Sequence, residues 1–387
     1  MRSIVAPGAT LGIIGGGHGA AQLARAGAAL GYGTRTVDPQ RCASLGEAMQ
    51  EVRALAEQSA LVTVASEDVR DELLEGIAAR TLLRPGRRVL ALAQHRVRER
   101  EWLQRARFNV LPWRAAATRD ELLAAVRELQ APCYVKPQVR RRAELRPLLV
   151  TSEQEAASAW NAMRGLPLVV EAYGHVEAEL TVLAVRALSG QVRCYPPARL
   201  LREQGRVALS TFPAVVTPQL ATRVQRLAEY VARKLEVEGL LAVELFLLAD
   251  GRLVVNELAP APHAAYDATE VACGASQYEQ QLRCVTGLPL AATDVLAPAA
   301  TVSIGRSTTP RAADRVSRAL RIPGVRAHLY PPDAERANAI GHLSATGATT
   351  DEALTRLLLA EAARDPRRAR RLALQRERLD WGPGARG

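Results

Sequence analysis

The sequence predicts an α/β protein of two or three packed subdomains that opens on a doubly wound parallel sheet. Three observations predict it. A short apolar run at 10–14 leads into Gly15-Gly16-Gly17 and an Ala-rich helical stretch at 20–30, and 34–37 then reads as a second strand ending at Asp38-Pro39. Helical and strand periodicities alternate through the middle of the chain. Further on, two apolar runs, 240–248 and 252–258, flank Asp250-Gly251, a strong hairpin signal.

The elements follow in order. The apolar run 60–64 is a further strand, and 69–79 a helix. Residues 94–106 read as a helix, and 118–129 as a clearer one, because Thr118 can cap it and Glu121 is the capping-box partner three residues on. Short strands are predicted at 133–136 and 168–171. A longer one at 179–188 turns at Ser189-Gly190 into 191–195. Residues 218–236 have helical periodicity up to Gly239, and 301–387 holds a small C-terminal unit and a basic tail.

Composition narrows the function. Hydrophobic residues are 48% and charged residues 24% of the 387, an ordinary globular balance. No segment approaches the roughly 20 uninterrupted apolar residues of a membrane span. Residues 1–10 lack the pattern of a secretory leader, so a cytoplasmic setting is expected. Five cysteines without Cys-x-x-Cys spacing argue against a disulfide framework or a structural zinc site. The net charge of +11 could attract nucleic acid, but the arginines are scattered and aromatic residues are only 4%, so most of the charge reads as solvated surface. Lys136 and Lys234 are the only lysines in a chain otherwise given to arginine, which singles them out.

The chemistry concentrates at Glu244, Asn256 and Glu257. Two acids on adjacent antiparallel strands, with an amide beside them, could hold Mg²⁺ between nucleotide phosphates, because that ion takes hard oxygen ligands and shares itself with phosphate. The other reading is a surface hairpin with solvated acids.

At these residues the chain resembles the ATP-grasp superfamily, and within it the 5-(carboxyamino)imidazole ribonucleotide synthases. The resemblance runs over roughly 11–357. Its anchors include Gly15-Gly16-Gly17, Asp38-Pro39, Tyr195-Pro196-Pro197, Asn256-Glu257-Leu258-Ala259-Pro260, Ser276-Gln277-Tyr278-Glu279-Gln280, His328-Leu329-Tyr330 and Gly341-His342-Leu343. It implies an α/β ATP-grasp fold: a Rossmann-like preATP-grasp domain at 1–92, the ATP-grasp domain at 93–298 with a lid at about 112–170, a rudiment-hybrid-like unit at 299–374 and a basic tail at 375–387. It also implies ATP-dependent carboxylation of aminoimidazole ribonucleotide with bicarbonate in purine biosynthesis, through carboxyphosphate, by a homodimer. Residue by residue it implies that Lys136 and Arg96 contact ATP. Glu171, Ala172, Tyr173 and Gly174 would meet the adenine edge and Glu179 the ribose. Glu244 and Glu257 would hold Mg²⁺ with Asn256 beside them, and Lys136 and His263 would serve catalysis.

The chain departs from the family pattern at four places. Lys136 is followed by Pro137-Gln138-Val139 and Arg140-Arg141-Arg142, with no glycine before Gly165 where a Gly-rich phosphate loop is expected. The arginines either replace that loop with side chains or are solvated. Ala261-Pro262-His263-Ala264-Ala265-Tyr266 retains His263 but not the family's Arg, Asn and Ser, and a histidine in that position serves packing or function. Tyr330-Pro331-Pro332 and Asn338-Ala339-Ile340 lack the cations that would hold the ribonucleotide phosphate, with Arg336 nearby, and His18-Gly19-Ala20-Ala21 replaces a Gln-Leu-Gly-Arg stretch. Three functions stay open on this pattern: the divergent synthase, a ligase with another acceptor, and a non-catalytic nucleotide-binding paralogue.

Overall fold

The computed structural model describes residues 4–140, 145–203, 206–305, 312–330 and 339–375. Its first unit is a parallel sheet ordered Gly33–Val37, Thr10–Ile14, Leu61–Val64, Leu82–Leu83. The Thr10–Ile14 strand passes through the glycine loop into the Gly17–Ala29 helix. Gly16 is required there, because a Cβ would overlap the Asp38 carboxylate at the end of the neighbouring strand. Leu45–Glu57 is a helix absent from the sequence reading. Its signal is a capping box: Ser44 Oγ accepts from Glu47 N at 3.1 Å, and Glu47 reaches back to Ala43 N at 2.6 Å.

A second, antiparallel sheet is ordered Trp113–Ala116, Leu168–Ala172, Cys133–Pro137, Leu148–Val150. It packs Val135, Val150, Leu168 and Val170 against Leu122 and Val126 of the Arg119–Leu129 helix and Ala156 of Glu153–Ala162. The Thr118–Glu121 cap forms, with Thr118 Oγ1 accepting from Glu121 N at 3.2 Å.

The third sheet is the largest. It runs Leu253–Ala259, Gly239–Leu248, Val176–Arg186, Ala198–Glu203, Arg206–Phe212, Ala299–Gly305, Ala339–Thr346, Val325–Leu329, with Val192–Cys194 at the side of Val176–Arg186. The C-terminal strands therefore extend the same sheet, joined where Leu209–Phe212 pairs with Ala299–Val302. Its central strands are covered on both faces. Leu180, Val182, Val243 and Leu245 pack under the Pro218–Leu235 helix, while Leu183, Val185, Leu240 and Ala242 pack with Tyr195, Phe212 and Tyr266. Two covered faces explain why these strands read as continuous apolar runs instead of alternating.

The hairpin at Asp250-Gly251 is wider than a two-residue turn. Gly251 N donates to Leu248 O at 2.8 Å, Leu248 N to Arg252 O at 2.9 Å, and Gly251 has φ +80°. Three loop residues, 249–251, with the last in the left-handed region that glycine tolerates, set the register below.

Candidate active site

The hairpin register places Glu244 directly opposite Glu257. The pairing shifts immediately beside them, so that Leu245 faces Val255 and Asn256 is the extra residue of a bulge. A bulge re-aims side chains. Here Asn256 and Glu257 are both half-buried between fully buried neighbours, and Asn256 Nδ2 donates to Glu244 Oε2 at 3.1 Å. Like charges directly opposite one another are unfavourable unless cations intervene, and arginines do. Arg202 donates to Glu244 Oε1 at 2.6 Å and to Glu179 at 2.8 Å, and Arg140 pairs with Glu257. Burial alone would raise Glu244, but Arg202 and His263 hold its carboxyl well below the usual range.

His263 is fixed by its own backbone surroundings. Its Nδ1 accepts from Ala265 N at 3.2 Å, so the neutral ring carries its proton on Nε2, which donates to Glu244 Oε1 at 3.0 Å. The residue therefore orients Glu244.

The strand end at Lys136 forms the opposite wall. Lys136 Nζ is 2.5 Å from Glu171 Oε2, and Arg100 holds Glu171 Oε1 through Nε at 3.0 Å and Nη2 at 2.7 Å. Burial lowers the basicity of Lys136, which Glu171 partly restores. Glu171, which burial would push up, is instead held far below the usual range by Lys136 and Arg100. Arg100 continues to Asn256 O at 2.6 Å and to Glu99 at 3.3 Å. Glu99 in turn binds Leu258 N at 2.7 Å and Arg140 at 2.5 Å. Lys136, Glu171, Arg100, Glu99, Arg140 and Glu257 thus form one chain of alternating charge from the Cys133–Pro137 strand to the hairpin.

The remaining predicted positions surround this chain. Arg96 donates through Nη1 to Pro137 O at 2.7 Å, and burial together with the Arg140 charge lowers its basicity. Ala172 N and Tyr173 N donate to Pro112 O at 2.8 Å and Pro132 O at 3.0 Å. The Tyr173 ring, 41% exposed, stacks on Tyr134 at 5.9 Å. Gly174 is confined, because a Cβ there would lie 2.9 Å from Leu111 Cδ2 and 3.2 Å from Leu248 Cδ2.

Sequence reasoning missed Glu99, Arg100 and Arg202. Glu99 and Arg100 are buried in a helix whose local pattern carries no mark of it. Arg202 had a signal: a charge late in the buried run of the Ala198–Glu203 strand. Of the arginine run, Arg140 lies in the site, while Arg141 and Arg142 lie outside the described residues.

Residues 101–278 match the family model described as an ATP-grasp domain. The N5-carboxyaminoimidazole ribonucleotide synthase of Brucella melitensis is 33% identical over 309 residues, 76% of this chain and 84% of that protein. That of Mycobacterium bovis is 30% identical over 383 residues, 93% and 88% of the two. The chain belongs to the N5-carboxyaminoimidazole ribonucleotide synthase family. Its fold is the ATP-grasp fold of that family. The ADP complex of one such synthetase superposes with a TM-score of 0.86 at 28% identity, covering 93% of this chain and 98% of the other. The synthase of Aspergillus clavatus, in complex with ADP and 5-aminoimidazole ribonucleotide, superposes at 0.84 with 25% identity, covering 92% and 99%.

Within this family frame, the departures from the expected motifs fall at both ends of the site: the stretch after Lys136 brings Arg140 to Glu257, and others lie around His18 and Tyr330. Tyr266 is fully buried, and its hydroxyl donates to Thr181 O at 2.7 Å. His18, from the altered glycine loop, stacks on Tyr330 at 4.5 Å. Residues 331–338, including Arg336 and Asn338, lie outside the described residues. No helix among the described residues is long and apolar enough to cross a membrane.

Proposed function

We propose that this chain carboxylates 5-aminoimidazole ribonucleotide with bicarbonate, driven by ATP, a reading that its family membership supports. The observation that carries the reading is the unbroken charge chain from Lys136 to Glu257 beside the Glu244–Asn256 pair. It supplies a cation at one wall and a hard-oxygen cluster at the other, as phosphoryl transfer needs.

Adenine lies along the Tyr134–Tyr173 wall. Because the N–H groups of Ala172 and Tyr173 are committed, its edge is read by other main-chain groups of the 171–174 hinge. Lys136, held by Glu171, and Arg96 face the phosphates, and Glu179 the ribose. The donor set fits Mg²⁺: two carboxylates and a neighbouring amide oxygen, hard ligands in a half-buried cluster. Mg²⁺ supplies neutralisation of phosphate charge. Arg140 and Arg202 hold the same carboxylates by charge-assisted bonds, contacts that Glu257 and Glu244 would have to give up in part to hold the ion. Bicarbonate oxygen then attacks the γ-phosphorus, ADP leaves, and the ribonucleotide amine attacks the carboxyl carbon of carboxyphosphate with release of phosphate. No protein nucleophile takes part. The homodimer, the cytoplasmic setting and the division at 92/93 and 298/299 belong to the same reading.

Phosphate release measured with ATP, Mg²⁺, bicarbonate and aminoimidazole ribonucleotide tests it. Release is expected only when all are present. Absence of release, with a thermal shift by ATP and Mg²⁺ alone, would instead favour a nucleotide-binding paralogue.

A further inference from the structure

Away from the charge chain, three side chains converge where the parallel-sheet unit, the core and the C-terminal strands meet. His18 comes from the first turn of the Gly17–Ala29 helix, Glu270 from Thr269–Ala272 and His342 from the Ala339–Thr346 strand. One ligating atom of each lies within 4.8 Å of those of the other two.

His342 is 1% exposed, and its Nε2 has no hydrogen-bond partner among the described residues. Its Nδ1 lies 3.1 Å from the Tyr330 hydroxyl and 3.9 Å from the Asp267 carboxylate. A proton on Nδ1, donated to the Tyr330 oxygen, leaves the lone pair on Nε2, the orientation that an outer hydrogen-bond partner gives a metal-binding imidazole. Asp267 is itself fixed, its Oδ1 accepting from Tyr278 at 2.8 Å and Gln277 at 3.1 Å. Glu270 Oε2 also lacks a hydrogen bond; His328 Nδ1, on a ring that burial holds toward its neutral form, lies 3.4 Å away. Buried polar atoms left unmet are costly, and an ion is one physical answer to several in one place.

We propose that His18, Glu270 and His342 bind one divalent transition-metal ion of the zinc class. Two imidazoles and a carboxylate are a set zinc uses with a fourth position left open, and are softer than the all-oxygen set of Glu244 and Glu257. Bonds of about 2.0–2.2 Å put tetrahedral ligand atoms roughly 3.4 Å apart, so separations within 4.8 Å close by at most about 1.4 Å on binding. The rings stacked alongside, His328 on His342 at 4.6 Å and Tyr330 on His18 at 4.5 Å, hold the imidazole planes as it closes. Bound there, the ion ties three units of the chain together. His18 and Tyr330 belong to stretches where the family resemblance implies the ribonucleotide end, so an ion there would lie in that part of the site.

The test is titration of the full chain, free of any affinity tag, with Zn²⁺ by calorimetry and with Co²⁺ by visible absorption. One equivalent is expected to bind, with cobalt ligand-field bands of a low-coordinate nitrogen–oxygen site and a metal-dependent rise in melting midpoint. His18→Gln and Glu270→Gln are each expected to weaken binding at least tenfold and to lose that rise, while melting like the parent chain without metal. If one variant fails to fold, the other decides. No cobalt absorption by the parent chain would overturn the site. So would undiminished binding by the folded variants, or a thiolate charge-transfer band placing the ion on a cysteine.

Discussion

The two ends of the site treat charge in opposite ways. At the nucleotide end Glu99, Arg100, Lys136, Glu171, Arg202 and Glu244 are each held by partners of opposite sign. At the other end imidazole and phenol rings stack on one another, and buried polar atoms are left unmet. The difference teaches which positions the fold itself depends on. A buried ion pair is costly to break from one side, so the nucleotide end is rigid and structural as well as chemical. The stacked end is free to change residues at little cost to folding, and several family motifs have drifted there, as the stretch after Lys136 has at the charged end.

The strongest way to break this comparison is Glu171→Ala, which strands Lys136 as a buried cation and leaves Arg100 with Glu99 alone as its carboxylate partner. About 3–5 kcal/mol of stability should be lost, read from the denaturant midpoint; a loss under 1 kcal/mol would mean that the chain of charges is ornamental. Its acid limb sharpens the point. The carboxyl sits lower in the folded chain than its ordinary 4.5. Its contribution is therefore present above about pH 4.5 and is lost as pH falls below it. The parent chain should lose stability there more steeply than Glu171→Gln.

Gly174→Ala comes next. Forcing a methyl against Leu111 and Leu248 should cost about 1–3 kcal/mol by overpacking, visible in thermal melts. Tyr173→Ala should cost about 1 kcal/mol of ATP affinity, roughly fivefold, with little change in stability, because its ring is largely a solvent-facing wall. The smallest effect belongs to the stacked end: Tyr330→Phe removes one hydroxyl contact to His342 and should shift stability by about 0.5–1.5 kcal/mol. A larger loss there than at Glu171 would reverse the comparison.

Much of the fold was legible in the sequence because it rests on local signals. Periodicity and turn chemistry located the Thr10–Ile14 strand, the capped Arg119–Leu129 helix and the hairpin that brings Glu244 to Glu257. Less legible was whatever depends on contacts far apart in the chain. Arg100 binds Glu171, 71 residues away, and Glu99 binds Leu258 N across 159. No window around Glu99 and Arg100 reports their burial. The bulge at Asn256 escaped for a related reason: alternation alone sends neighbouring residues to opposite faces, and only the register shift shows that Asn256 and Glu257 share a cluster. The joining of the C-terminal strands to the core sheet likewise depends on the Arg206–Phe212 strand meeting Ala299–Gly305, a pairing with no local mark.

The central claim is that the paired acids on the hairpin hold a divalent ion for the nucleotide. Its most direct test is calorimetric titration of ATP into Glu257→Gln and the parent chain, with and without Mg²⁺. Mg²⁺ should tighten ATP binding by the parent chain, and in the variant most of that gain, at least tenfold or about 1.4 kcal/mol, should vanish while the melting curve stays cooperative. Equal Mg²⁺-dependent tightening in both proteins would contradict the account.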